Sequence, residues 1–267
     1  MMKLFRRDVV LSLGALCVAM SLPASGDVFF NNSQNDLHYR LTTAQNVGGL
    51  TSTAEYGDEI DMANIGNLTN FSFEFWGTNT LSPANLGYQG AIQGRVRFYY
   101  NNGALDPTSR YATPGTMFYD SGWFYLNAVG AGTPTARSTL VFDNTDFQKG
   151  DVLGLFQNGA NGNPAGLPVA DQYVTWTIEF QGLGNGDELG VDLYYPPTVG
   201  LDYNDYWVKG TGSEATWLLY TNSDVPAVDF AALFQGTTIV PEPTVLALSA
   251  VGALALFATN RRLRRKA

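Results

Sequence analysis

Asn70-Phe71-Ser72-Phe73-Glu74-Phe75-Trp76-Gly77-Thr78 is the stretch on which the fold class turns. Phe71, Phe73 and Phe75 fall on one side of an extended chain, and Ser72, Glu74 and Trp76 on the other. A period of two is what a strand needs when one face is buried and the other is not. A near echo follows at Val174-Thr175-Trp176-Thr177-Ile178-Glu179-Phe180, where Val174, Trp176, Ile178 and Phe180 alternate with Thr and Glu. Arg95–Tyr100 and Val191–Tyr195 repeat the habit. Gly-, Asn- and Pro-rich breaks punctuate these runs at Asn101-Asn102-Gly103, Pro114-Gly115, 158–164 and 182–186, where turn residues end strands. About a dozen strands are expected and no helical stripe of ordinary length. The predicted class is all-β: an antiparallel β-sandwich of jelly-roll type over 27–235, flanked by an N-terminal signal helix and a C-terminal transmembrane helix.

The whole chain has 267 residues, 15 Lys and Arg against 24 Asp and Glu, and only one Cys and one His. That excludes a disulfide framework and a Cys/His zinc site. Residues 27–239 carry 7 basic and 22 acidic side chains, and so acidic a body argues against a nucleic-acid partner. The basic groups concentrate at the ends.

At the N-terminus, Lys3, Arg6 and Arg7 precede an apolar run from Val9 to Leu22 and then Pro23-Ala24-Ser25-Gly26. This is the layout of a secretory signal peptide over 1–26, with cleavage expected between Gly26 and Asp27. The export translocon is then a partner; Arg6-Arg7 leaves Sec and twin-arginine routes both open. Cleavage would remove Cys17, which follows Leu16 rather than the small residue of a lipoprotein site.

At the C-terminus, a linker over 236–240 leads to Pro241-Glu242-Pro243, then sixteen uncharged residues from Thr244 to Thr259, then Arg261, Arg262, Arg264, Arg265 and Lys266. Sixteen residues make about 24 Å of helix against a ~30 Å hydrocarbon core, a deficit that snorkelling arginines can reduce. A single span over about 244–260 is expected, the basic end at 261–266 staying cytoplasmic and the body outside.

This tail resembles the PEP-CTERM sorting signal of exported bacterial proteins, a signature shared with the C-terminal region of ice-binding proteins. The resemblance covers about the last 28 residues. It implies that Pro241, Glu242 and Pro243 are read by an exosortase-like membrane transpeptidase, with release to the cell surface or extracellular matrix. It carries no implication of ice affinity. Val96–Gly103, Pro114–Trp123 and Asn204–Trp207 resemble pieces of the β-sandwich bodies that precede such tails, and that likeness brings a fold but no activity.

Candidate chemistry in the body is sparse. Glu59-Ile60-Asp61-Met62-Ala63-Asn64 is similar to the E-I-D-x-x-E strand of retaining laminarinase-type glycosidases, whose last Glu is the acid/base. Asn64 stands in its place, and an amide cannot protonate a leaving oxygen. Glu74 and Glu179 form the other carboxylate pair, either ~5 Å apart or on opposite sheets. His38 lacks a second histidine and reads as a surface residue. Gly212-Ser213-Glu214 lacks the second glycine of a nucleophile elbow, and Gly182-Leu183-Gly184 lies in a turn. No catalytic residue, cofactor or metal is assigned; Asp143-Asn144-Thr145-Asp146 and Asn185-Gly186-Asp187-Glu188 are weak candidates for structural calcium. Tyr99, Tyr194, Tyr206 and Trp207 are the aromatic candidates for contact with extracellular polysaccharide. The expectation is a structural or glycan-associated surface protein, the alternative a secreted jelly-roll glycoside hydrolase.

Overall fold

The computed structural model describes residues 26–81, 88–126, 136–143, 166–210, 216–221 and 228–238. The signal segment before Gly26 lies outside the described residues. So do Pro241, Glu242 and Pro243, the 244–260 span, the basic end and Gly212-Ser213-Glu214. Among the described residues there is no helix, and none therefore long and apolar enough to cross a membrane.

Sixteen strands are described in chain order: β1 (Asp27–Asn32), β2 (Asp36–Val47), β3 (Leu50–Thr53), β4 (Glu55–Asp61), β5 (Gly66–Asn79), β6 (Gln93–Tyr100), β7 (Met117–Asp120) and β8 (Phe124–Tyr125). There follow β9 (Ala136–Asp143), β10 (Leu167–Val169), β11 (Tyr173–Gln181), β12 (Asp187–Tyr194), β13 (Leu201–Asp202), β14 (Asp205–Lys209), β15 (Trp217–Thr221) and β16 (Ala232–Thr238). They form two sheets with every pairing antiparallel. In one, the fourteen-residue β5 is central: β9 and β10 pair along one edge, β16 and β12 along the other, and β1, β2 and β3 lie beyond. The other runs β15-β14-β4-β11-β6-β7, with β13 on β4 and β8 on β6.

The alternating runs explain how the sheets meet. Phe71, Phe73 and Phe75 of β5 point into the gap, as do Trp176 and Phe180 of β11, and all five are buried. Phe71 meets Trp176 edge-on at 5.4 Å between ring centroids, Phe98 at 5.0 Å and Phe234 at 4.6 Å. Phe73 lies 5.5 Å from Trp176 and Phe75 6.2 Å from Phe180. The two echoing sequences are thus inner strands of opposite sheets, packed across one aromatic core. Burying rings of this size supplies most of the folding free energy of such a layer, and truncating one to Ala costs ~3–5 kcal/mol.

Glycine sets two close approaches. Gly190 of β12 has no room for a Cβ against the Leu41 carbonyl of β2, and Gly186 holds φ at 85° in the β11–β12 turn. The C-terminal boundary falls later than the expected 235: Gly236, Thr237 and Thr238, placed in the linker by their small polar composition, pair with Leu68, Asn67 and Gly66 and extend β16.

A candidate ligand cleft on the β4–β11 sheet

Strand alternation also decides what the β4–β11 sheet shows on its outward face. Registered pairs place Thr177, Arg97 and Gly57 on that face, together with Thr175, Tyr99 and Glu59. Trp207 lies opposite Gly57 and Lys209 opposite Glu55. The middle of the face is a closed polar network. Glu55 receives the Arg97 guanidinium at 2.6 Å and hydrogen bonds from Tyr99 Oη at 2.9 Å and Thr177 Oγ1 at 2.7 Å. Arg97 also reaches Glu179 at 3.1 Å, while Asp120 takes a forked bond from Arg95. Glu55, Arg97, Tyr99 and Thr177 are all buried, so the network offers no free group to a ligand.

At one end the face opens into a cleft of about 400 Å³ lined by Glu59, Asn101, Tyr111, Ala112, Asp171, Tyr173, Tyr203 and Asp205. Each wall has a local cause. Tyr173 starts β11 behind a turn in which its N–H bonds Asp171 Oδ1 at 3.1 Å. Tyr203 caps the short β13–β14 connection, where Asp205 N–H bonds the Tyr203 carbonyl at 2.7 Å. Tyr111 and Ala112 come from the loop after β6. Asp106 Oδ2 braces that loop by accepting from Ser109 N–H and Oγ and from Thr108 N–H. Tyr111, Tyr173 and Tyr203 are 59%, 42% and 43% exposed, which leaves their rings free to meet a ligand.

The electrostatics are one-sided. Among the described residues, three carboxylates and no basic side chain line the cleft. Burial lifts the Glu59 carboxyl above its ordinary range, opposed by the Trp207 N–H at 3.2 Å and reinforced by Asp205. Burial alone pushes Asp205 up to about 6. On the inner side of the same wall, Asp58 is fully buried, with Oδ2 accepting Phe230 N–H at 2.7 Å and its carboxyl paired with that of Asp202. Burial and the neighbouring Asp229 raise Asp58, and burial with Asp58 raises Asp202. Asp229 is pushed up to about 7 by burial and by Asp205.

The cleft lies at the pole where the described chain begins and ends. Asp61, which ends β4, pairs with Tyr173; the next residue, Met62, bonds the Gln172 carbonyl, and Ala63 bonds that of Phe29 in β1.

The residues singled out from sequence scatter. Glu74 and Glu179 face outward from opposite sheets with the core between them, because each alternates with inward rings, so they cannot flank one bond. Glu74 instead accepts Tyr194 Oη at 2.8 Å and borders a separate hollow of about 250 Å³. Tyr99, Tyr194 and Trp207 are buried, at 6%, 5% and 0% exposure. Tyr206 is half-buried and points inward, stacked between Tyr56 and Tyr220. None of the four lines the cleft, although Trp207 supports Glu59 from behind. Glu59 of the E-I-D-x-x-N run does line it, and Asn64 is exposed outside it.

His38 is exposed, its Nδ1 3.1 Å from Asp36. Asp187, of the second calcium candidate, is taken up by N–H donors from Gln89, Gly90, Gly184 and Asn79 at 2.6–2.8 Å, so its oxygens face donors rather than a cation. In the first candidate, 144–146 lie outside the described residues. Among the described residues no group of three or more His, Cys, Asp or Glu is arranged to hold a metal ion.

The three exposed tyrosines and their acidic neighbours were missed from sequence. The available signal was local: Asp171-Gln172-Tyr173 and Asp202-Tyr203-Asn204-Asp205 each set an acid beside a tyrosine at a turn. Comparison with protein-family models, with curated proteins and with solved structures finds no match.

Proposed function

We propose that this is an exported surface protein whose β-domain binds extracellular polysaccharide in the Tyr111–Tyr173–Tyr203 cleft. The observation that carries the binding role is the cleft itself: three exposed rings for sugar faces, with Asn101 and three carboxylates for hydroxyls, on a rigid sheet. The strand orders β2-β12-β5-β9 and β4-β11-β6-β7 support reading the domain as a jelly roll.

Export rests on the two sequence ends. A signal over 1–26 delivers the body outside, a span over about 244–260 holds it, and an exosortase-like transpeptidase reads Pro241-Glu242-Pro243 and releases it to the surface or matrix. A body with no cysteine after residue 17 needs no oxidative folding outside the cell.

The test is retention of the protein, purified from its own host, on a panel of immobilised polysaccharides. Retention that Tyr173→Ala and Tyr203→Ala weaken supports the reading. Passage through every matrix would leave a purely structural role.

A second reading has one observation in its favour. Glu59 and Asp205 share the cleft, burial raises both carboxyls, and a raised carboxyl is what a glycosidase acid requires. Release of reducing ends, abolished by Asp205→Asn, would establish hydrolysis in place of binding.

A further inference from the structure

The cleft's charge narrows its ligand, given that it binds a glycan at all. We infer that the preferred ligand is an amine-bearing oligosaccharide, a deacetylated hexosamine chain whose ammonium groups meet Glu59, Asp171 and Asp205.

Geometry and charge both lead there. Glu59, Asp171 and Asp205 converge on one volume, and Asn101, Tyr111, Tyr173 and Tyr203 supply the other polar and aromatic surface. The two arginines of the same sheet are committed elsewhere, Arg95 to Asp120 and Arg97 to Glu55 and Glu179, and Arg110, beside Tyr111, is exposed and off the lining. No basic side chain among the described lining residues offsets the three carboxylates. The 22 acids against 7 bases of residues 27–239 extend that field over the whole body.

A neutral sugar would cover these carboxylates and remove their water while offering only hydroxyl donors. An ammonium supplies charge-assisted hydrogen bonds to the same oxygens, and its cationic face also suits tyrosine rings. Burial raises the Glu59 and Asp205 carboxyls, and a bound ammonium would draw both back down.

Full-length protein is titrated with equal-length oligomers of glucosamine, N-acetylglucosamine and glucose. The glucosamine oligomer is expected to bind about tenfold more tightly than either neutral chain, with the advantage shrinking in high salt. Asp171→Asn, at an exposed turn where folding is not at stake, is expected to remove much of that advantage, and Asp205→Asn the rest. Equal or weaker binding of the amine oligomer would overturn the inference and leave glycan binding standing. Binding of none of the three would overturn both. Preference for glucosamine untouched by the two substitutions would place the attraction on the acidic body at large and overturn the assignment to this cleft.

Discussion

Thr238 donates its hydroxyl to Asp27 Oδ2 at 2.6 Å, joining the first residue behind the expected signal cleavage to the last residue described at the C-terminal end. The contact follows from β1 pairing with β16, Asp27 opposite Gly236 and Phe30 opposite Phe234. Both ends therefore leave the sandwich side by side. The first strand begins at Asp27, so cleavage after Gly26 would leave β1 whole. Deleting Asp27–Asn32 would uncover Phe234 and remove the fully buried Phe29 and Phe30. The expected result is loss of cooperative unfolding, followed by near-UV circular dichroism, because two buried rings are worth ~3–5 kcal/mol each.

Arg97 answers two carboxylates, the buried Glu55 and the half-buried Glu179, from the centre of the outward face. Arg97→Met leaves Glu55 uncompensated at 5% exposure, and urea unfolding should show a loss of about 3–5 kcal/mol. Adding Glu55→Gln removes the orphaned charge and should recover part of that loss. A single variant as stable as the parent would show that the network contributes nothing net.

The buried aspartates give a pH dependence of definite sign. Asp58 and Asp202 are raised by burial, Asp229 to about 7 and Asp205 to about 6, against ~3.9 in an unfolded chain. Between those limits the folded protein holds more protons than the unfolded one. Their stabilisation is complete below the unfolded value and is lost as pH rises through the folded values. Asp120, lowered by Arg95 against its burial, acts the other way at acid pH, its contribution lost as pH falls through its depressed value. The expected Tm at pH 5 exceeds that at pH 8 by on the order of 5 °C, and Asp229→Asn flattens the slope. A Tm that climbs from pH 5 to pH 8 would contradict the buried acidic group.

Tyr173 and Tyr203 are half-exposed cleft walls, whereas Tyr99 is a buried strut that donates to Glu55. Tyr173→Ala and Tyr203→Ala should each weaken polysaccharide binding about tenfold with little change in Tm. Tyr99→Phe should do the reverse, lowering stability by about 1 kcal/mol through the lost hydrogen bond while binding persists. Binding isotherms beside melting curves separate the two kinds of tyrosine.

What the sequence revealed follows from the range of the interactions involved. Phe71, Phe73 and Phe75 announce β5 because alternation is local, and Trp176 and Phe180 announce β11 in the same way. Their packing against each other explains why the two stretches look alike. Trp207 shows the limit of that logic: its outward phase is right for a ligand contact, yet it is fully buried beside Gly57 and bonded to Glu59. Tyr111 comes from the loop after β6, Tyr173 from the start of β11 and Tyr203 from the β13–β14 connection, and only the completed pairing of β6, β11, β4 and β14 brings them to one cleft. Glu74 and Glu179 look equivalent in sequence and part onto opposite faces, because which sheet a strand joins is a non-local matter.

The intact mass of the mature protein isolated from its own host bears most directly on export and sorting. Export followed by sorting gives a chain beginning at Asp27 and ending near Pro241–Pro243. A mature protein that retains residues 1–26, or that still ends at Ala267, would contradict it.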